Sequence, residues 1–71
     1  MAEEVRSDFI GTVVAVHVTA GRVVASGETL VVVESMKMEL PVDAPRAGTV
    51  LSVAVAEGDS ISEGDVLLTL E

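Results

Sequence analysis

The stretch GTVVAVHVTAG, residues 11–21, returns 37 positions later as GTVLSVAVAEG, residues 48–58. The same shift pairs all six glycines of the chain without a gap, and ten of the thirty aligned positions are identical. Glycine accepts a positive φ or a close backbone approach, so the shared glycine register indicates that both copies need the same turns. The sequence therefore predicts two like halves, residues 5–34 and 42–71, joined by a hairpin at residues 35–41.

Each half reads as short strands separated by turns. Fifteen of the 71 residues are valine and only Phe9 is aromatic, a composition that favours sheet because β-branched side chains fit strands better than helices. No segment has apolar residues at helical spacing between capping residues. The three-residue step from Val13 to Val16, repeated in the second half, breaks strict alternation and predicts a bulge. We expect an all-β fold, a flattened antiparallel β-barrel or sandwich of about eight short strands with a quasi-twofold internal repeat.

Composition and charge exclude several functions. The length is that of a single domain, residues 1–71. The net charge is −8 and the four basic residues are scattered, which argues against nucleic acid and anionic membranes as partners. The absence of cysteine excludes disulfides and thiolate metal sites. The N-terminal residues lack the basic start and apolar run of a secretory signal, so a cytoplasmic location is expected.

The only lysine, Lys37, lies between the two halves. If residues 35–41 form a hairpin, this amine is presented near its tip, where a modifying enzyme reaches it with little unfolding. A sole lysine also removes competing targets, leaving only the α-amino group. The midpoint of the repeat is therefore the candidate functional site.

The run Glu34-Ser35-Met36-Lys37-Met38 resembles the Glu-Ala-Met-Lys-Met signature of biotinyl domains. The second half is similar to the same family at residues 44–50 and 57–59, and the resemblance covers residues 5–71. It implies a barrel-sandwich hybrid with the target lysine at the tip of a tight hairpin turn. It also implies a carrier, not an enzyme, in which biotin on Lys37 acts as a swinging arm for carboxyl groups.

The resemblance further implies the cofactor, the partners and the residues that recognise them. A biotin protein ligase would attach biotin covalently to Lys37. The biotin carboxylase and carboxyltransferase subunits of an acyl-CoA or related carboxylase would then use the biotinylated carrier. The residues expected to be recognised by the ligase or these partners flank the lysine: Glu34, Ser35, Met36, Met38 and Glu39.

Three features depart from the family pattern. Ser35 stands where alanine is usual, and residues 7–11 replace a turn that commonly contains proline. Arg22 follows Gly21 where an acidic residue is expected. The gapless repeat also leaves no room for the thumb loop that some biotin carriers have in the first half.

Other interpretations of the same residues remain open. A lipoyl carrier domain shares the fold and the lysine position, but usually has an acidic residue before the lysine where this chain has Met36. An unmodified β-scaffold that binds partners is the second alternative. An autonomous enzyme is the weakest, because His17 is the only histidine and no nucleophile–base pair or metal cluster can be assembled. Two thioethers without His or Cys make a poor metal site.

Overall fold

The computed structural model describes residues 2–71. Within this range the chain forms eight strands and no helix. The strands are β1 (Glu3–Arg6), β2 (Gly11–Val16), β3 (Val23–Val24), β4 (Thr29–Ser35), β5 (Met38–Asp43), β6 (Gly48–Val53), β7 (Ser60–Ile61) and β8 (Val66–Leu70). The described residues therefore contain no helix that could cross a bilayer.

The strands form two antiparallel sheets of four, in the orders β1-β8-β6-β3 and β5-β4-β2-β7. A shift of 37 residues converts each sheet order into the other, and it superposes the bounds of β2 on β6 and of β3 on β7. The all-β fold, the eight strands and the quasi-twofold repeat are thus confirmed. Of the two predicted forms the sandwich is observed, because the two sheets do not close into a barrel within residues 2–71.

The bulge predicted from the Val13 to Val16 step is present in both halves. The β2–β4 register shifts between Val13 and Ala15, and the β6–β8 register shifts at the equivalent residues, Val50 and Ser52. A bulge increases local twist and bends the strand. Both sheets therefore curve around one shared core.

The core is aliphatic and takes equivalent residues from each half. Three matched pairs, Val13/Val50, Leu30/Leu67 and Val33/Leu70, are buried almost completely. Val24 and Ile61, which occupy equivalent positions between two turns, are buried as well. Neither half has an enclosed core of its own, because each half contributes two strands to each sheet.

The turns of each half bind the strands of the other half. The N–H of Gly21 donates to the carbonyl oxygen of Val50 at 2.7 Å, and the N–H of Gly58 donates to that of Val13 at 2.8 Å. Both glycines have a φ near +94°, a region that other residues rarely adopt. Arg22 keeps the same turn, since its N–H donates to the Thr19 carbonyl as the Asp59 N–H does to that of Ala56. Its guanidinium donates to the His17 carbonyl and pairs with Glu28.

Candidate functional site

Lys37 lies in the connection between β4 and β5. These two strands pair up to Ser35 and Met38, so the connection is only two residues long, Met36 and Lys37. Most of the predicted hairpin segment, residues 35–41, is therefore strand. The backbone of Lys37 therefore follows directly on paired strands, which restricts the position of its Cα atom.

The backbone of this turn is left-handed at both central residues. Met36 has a φ of 53° and Lys37 a φ of 67°. Two positive φ angles in a two-residue hairpin are the signature of a type I′ turn, whose twist matches that of the flanking strands. Side chains other than glycine or asparagine disfavour this conformation by about 1–2 kcal/mol per residue. Methionine and lysine are therefore placed here at some cost in stability, which points to a role for their side chains.

The Lys37 side chain is exposed and makes no hydrogen bond or ion pair with any described residue. No metal-binding group of acidic or histidine side chains occurs within residues 2–71. An amine with these surroundings fits a group joined to it by an amide bond, because nothing in the described chain competes for the nitrogen. It does not fit a structural lysine that stabilises the hairpin through an ion pair.

Glu34 and Glu39 lie directly opposite each other, one pair below the turn. Both are exposed, and neither forms an ion pair with another residue between positions 2 and 71. Like charges in opposed positions destabilise a strand pair. The base of the hairpin is thus a negatively charged surface that the hairpin itself does not need.

The side chains of Met36 and Met38 are largely exposed. Met36 is 92% exposed and Met38 is 60% exposed. Of the predicted recognition residues, Glu34, Met36, Met38 and Glu39 are exposed around Lys37, whereas Ser35 is half-buried. One hairpin therefore brings the five residues together. Four of them are exposed on its surface, and Ser35 makes a contact within the protein.

Ser35 joins the hairpin to the neighbouring strand. Its hydroxyl donates to the carbonyl oxygen of Ile10 at 2.7 Å. Gly11 follows Ile10 and lies so close to β4 that a Cβ atom there would be 2.2 Å from the Glu34 carbonyl oxygen. The hairpin is thus held against the start of β2 by one side-chain hydrogen bond and one close backbone contact.

Ile10 is the residue at this site that the sequence analysis missed. It is 70% exposed although it is a large apolar side chain. The loop before it is closed by Ser7, whose hydroxyl donates to the Phe9 carbonyl and accepts from the Phe9 N–H. No local pattern in the sequence could have found it, because only the register between β2 and β4 brings Ile10 to the hairpin.

Two further features, His17 and an apolar groove, lie away from the lysine hairpin. His17 is exposed, and its backbone N–H donates to the Leu30 carbonyl. A shallow apolar groove between the halves is lined by Val16, Val18 and their equivalents Val53 and Val55. Thr19 and Glu57 line the groove as well.

Comparison with known proteins agrees with this geometry. The family described as "Biotin-requiring enzyme" matches residues 3–70. The Mycobacterium leprae homologue of the biotinylated protein TB7.3 is 44% identical over 70 residues, covering 99% of both chains. The biotin/lipoyl attachment protein of Bacillus subtilis is 51% identical over 55 residues, covering 78% of this chain and 75% of that protein.

Among solved structures, a single-chain, multi-domain long-chain acyl-CoA carboxylase contains a similar fold. It superposes with a TM-score of 0.91 and 37% identity over 96% of this chain, which corresponds to 7% of the carboxylase. The motif around Lys37, the repeat and these comparisons agree over almost the whole chain. This protein belongs to the biotin/lipoyl attachment family.

Proposed function

We propose that this protein is a biotin carrier, in which Lys37 is the attachment residue and the chain itself performs no catalysis. The observation that carries the proposal is the position of the only lysine. Lys37 is exposed, lies at the end of a two-residue turn and has no partner among the described residues. The single-domain assignment, residues 1–71 with halves 5–34 and 42–71, is part of this proposal.

Attachment is an acyl transfer to Lys37. The unprotonated ε-amine attacks the carbonyl carbon of an activated biotin, a C–N bond forms, and the C–O bond to a phosphate or nucleotide leaving group breaks. The leaving group takes the bonding electron pair and the amine nitrogen loses one proton. A biotin protein ligase supplies the activated acyl group and the base, because no described side chain pairs with the Lys37 amine.

The hairpin holds the base of the arm in a fixed position. The β4–β5 ladder, the Ser35 hydrogen bond and the close approach of Gly11 all restrict its motion. Biotin, once attached, supplies a ring nitrogen that can carry a carboxyl group. The carrier contributes the length of the lysine side chain and a surface that partner enzymes recognise. Tethering raises the effective concentration of the attached group at an active site within its range.

The partners proposed are the biotin carboxylase and carboxyltransferase subunits of an acyl-CoA or related carboxylase. The structural similarity to a domain of a long-chain acyl-CoA carboxylase supports this assignment. Glu34, Ser35, Met36, Met38 and Glu39 are proposed as the residues recognised by the ligase or by these subunits. The methionines favour biotin over lipoate, because the resemblance assigns an acidic residue to the position before a lipoyl lysine.

The first experiment is an acylation assay on the purified chain. The chain is incubated with a biotin protein ligase, ATP and biotin, and its intact mass is measured before and after. We expect one biotinyl group, mapped to Lys37 by peptide sequencing. The Lys37→Arg variant, which keeps the charge, should gain none.

Two results would overturn the proposal. A chain that stays unmodified while a known carrier in the same tube is biotinylated would favour the unmodified β-scaffold that binds partners. A lipoyl group on Lys37 of protein isolated from its native host, with no biotin, would assign the chain to lipoyl carriers. A second assay follows carboxyl transfer from labelled bicarbonate to the biotinylated chain in the presence of a biotin carboxylase.

A further inference from the structure

Large apolar side chains are exposed around the turn. Among the described residues five large apolar side chains are exposed, and three of them, Ile10, Met36 and Met38, belong to the lysine hairpin or the loop that it contacts. We call these three residues the tip patch. The other two, Val23 and Leu51, lie on β3 and β6 in the opposite sheet.

The register of β2 and β4 places Ile10 at the turn. Thr12 pairs with Glu34, so the same antiparallel register continued by two residues brings Ile10 opposite Met36. The hydrogen bond from the Ser35 hydroxyl to the Ile10 carbonyl oxygen, 2.7 Å long, shows that the two segments are in contact there. Ile10 is thus a direct neighbour of the lysine turn although it is 27 positions away in the chain.

We propose that the tip patch is covered by the enzyme that acylates Lys37, with Ile10 as a specificity-determining residue and Ser35 as the residue that positions it. This inference rests on the proposed function. Exposed isoleucine and methionine favour contact with an apolar surface, because burying them removes apolar area from water. The flexible methionines adapt to that surface, whereas the β-branched Ile10 gives it a fixed shape.

The reach of the arm distinguishes this enzyme from the carboxylase subunits. Before acylation the reacting atom is the lysine nitrogen, which extends only a side chain's length from the turn. The acylating enzyme must therefore approach until it covers the residues around Lys37. After acylation the reacting end is separated from the turn by the added biotin, so the carboxylase sites can be entered without covering Ile10.

The negative charge beside the tip patch also favours the acylating enzyme as the protein that covers it. A carboxylic acid must be activated before it acylates an amine, and the leaving group is an anionic phosphate or nucleotide. The enzyme site that holds this anion needs cationic side chains. Glu34 and Glu39 lie beside the tip patch as an opposed pair with no cation of their own among the described residues. The expected partner surface is an apolar hollow bordered by positive charge, and the complementary charge raises the association rate.

Ser35 acts through Ile10 and does not touch the reacting atoms. Its hydroxyl holds the Ile10 carbonyl, while Ser7 closes the other end of the same loop through Phe9. The loop is therefore fixed before the enzyme binds, which lowers the entropy lost on association. Ser35→Ala removes this contact without changing the lysine, the methionines or the glutamates.

The test measures acylation of the purified chain under conditions in which the carrier concentration is varied. Ile10→Ser removes the apolar side chain and Val23→Ser is the matched control, since both residues are more than two-thirds exposed. For Ile10→Ser we expect about a tenfold higher KM for the carrier with kcat within twofold, as for a contact near the centre of an interface. Val23→Ser should behave as the wild type. Thermal unfolding of each variant checks that both are folded.

Ser35→Ala should raise KM by about threefold, and Ser35→Thr, which keeps the hydroxyl, should restore it. Ile10→Ser that has been biotinylated to completion should accept carboxyl groups at the wild-type rate. An unchanged KM for Ile10→Ser, or an equal rise for Val23→Ser, would refute the assignment. So would an equal loss in the carboxylation assay, since the carboxylase subunits would then need the patch. If wild-type chain is not acylated at all, the proposed function fails first.

Discussion

The two ends of the molecule have equivalent backbones and opposite chemistry. The 37-residue shift relates the β4–β5 hairpin at one end to the β8–β1 pair at the other. At the hairpin end the strands are joined by Met36 and Lys37. At the terminal end there is no connection: Glu3 pairs with Leu70, and Arg46 donates to the Glu3 carboxylate and to the backbone carbonyl of the last residue.

The difference bears on where we propose that this fold carries its function. Arg46 is the repeat equivalent of Phe9 and ties the terminal end together, whereas the hairpin end exposes an amine that pairs with no described residue. The shared backbone supplies stability and the arrangement of strands. The connection and its flanking side chains form the proposed site, so changes to the two ends should separate stability from acylation.

The largest expected effect tests whether the cores of the two halves contribute equally to the free energy of unfolding. Leu30→Ala and Leu67→Ala each remove a fully buried side chain at repeat-related positions. Each should lower the free energy of unfolding by about 3 kcal/mol, as large-to-small core changes do. Urea unfolding of both variants measures this. Losses that differ by more than about 1.5 kcal/mol would show that the halves are not energetically equivalent.

The second prediction is that alanine at the two equivalent glycines, Gly11 and Gly48, lowers stability by unequal amounts. A Cβ atom at Gly11 would lie 2.2 Å from the Glu34 carbonyl oxygen, and one at Gly48 would lie 2.7 Å from that of Glu71. Glu34 is paired on both sides, with Thr12 and with Glu39, whereas Glu71 lies one residue beyond β8. Gly11→Ala should destabilise by about 2–3 kcal/mol and Gly48→Ala by about 1 kcal/mol.

The same two alanine variants report on the hairpin. Gly11→Ala pushes β4 away next to the turn, so acylation of Lys37 should be slowed, whereas Gly48→Ala should leave it unchanged. Urea midpoints and initial acylation rates of the two proteins provide the comparison. Equal effects on both readouts would contradict the separation of the two ends.

A smaller effect is expected at the terminal end alone. Arg46→Gln removes the charge that pairs with Glu3, and both side chains are about half exposed. The loss should be about 0.5–1 kcal/mol, the usual range for a surface ion pair, and it should shrink in high salt. The rate of acylation should not change. A slower acylation of this variant would mean that the two ends are coupled through the sandwich.

The smallest effect is a gain in stability at the hairpin end. Met36→Asn places a residue that tolerates a positive φ at the first turn position, where φ is 53°. The free energy of unfolding should rise by about 0.5 kcal/mol, while acylation should become less efficient because an apolar contact is lost. Thermal unfolding and acylation kinetics measure the two quantities. A variant that is both more stable and equally well acylated would show that Met36 has no role in recognition.

Much of the fold could be predicted from the sequence. The glycine register predicted the two halves and the turns, because glycine marks positions that demand special backbone geometry, and the valine content predicted strands. The broken spacing of Val13 and Val16 predicted the bulge. Neighbours from distant parts of the chain were not predicted, since Ile10 reaches the hairpin only through the pairing of β2 with β4.

The inward-facing residues of β4 were also undecided by the sequence. Val31, Val32 and Val33 are all apolar, so periodicity could not distinguish the buried side from the exposed side. A register shift between Thr29 and Val31 buries Leu30 together with Val31, and Val32 is only half-buried. Such a shift depends on the partner strand, which a local pattern does not contain.

By itself, the sequence determined the repeat, the strand composition and the position of the only lysine at its midpoint, because these depend on local residue preference and on order along the chain. The tertiary structure decided three further properties. It selected a sandwich whose sheets do not close within residues 2–71, it shortened the hairpin to two left-handed residues, and it placed Ile10 beside Lys37. All three depend on which strands pair and in which register, and pairing is a property of the folded chain.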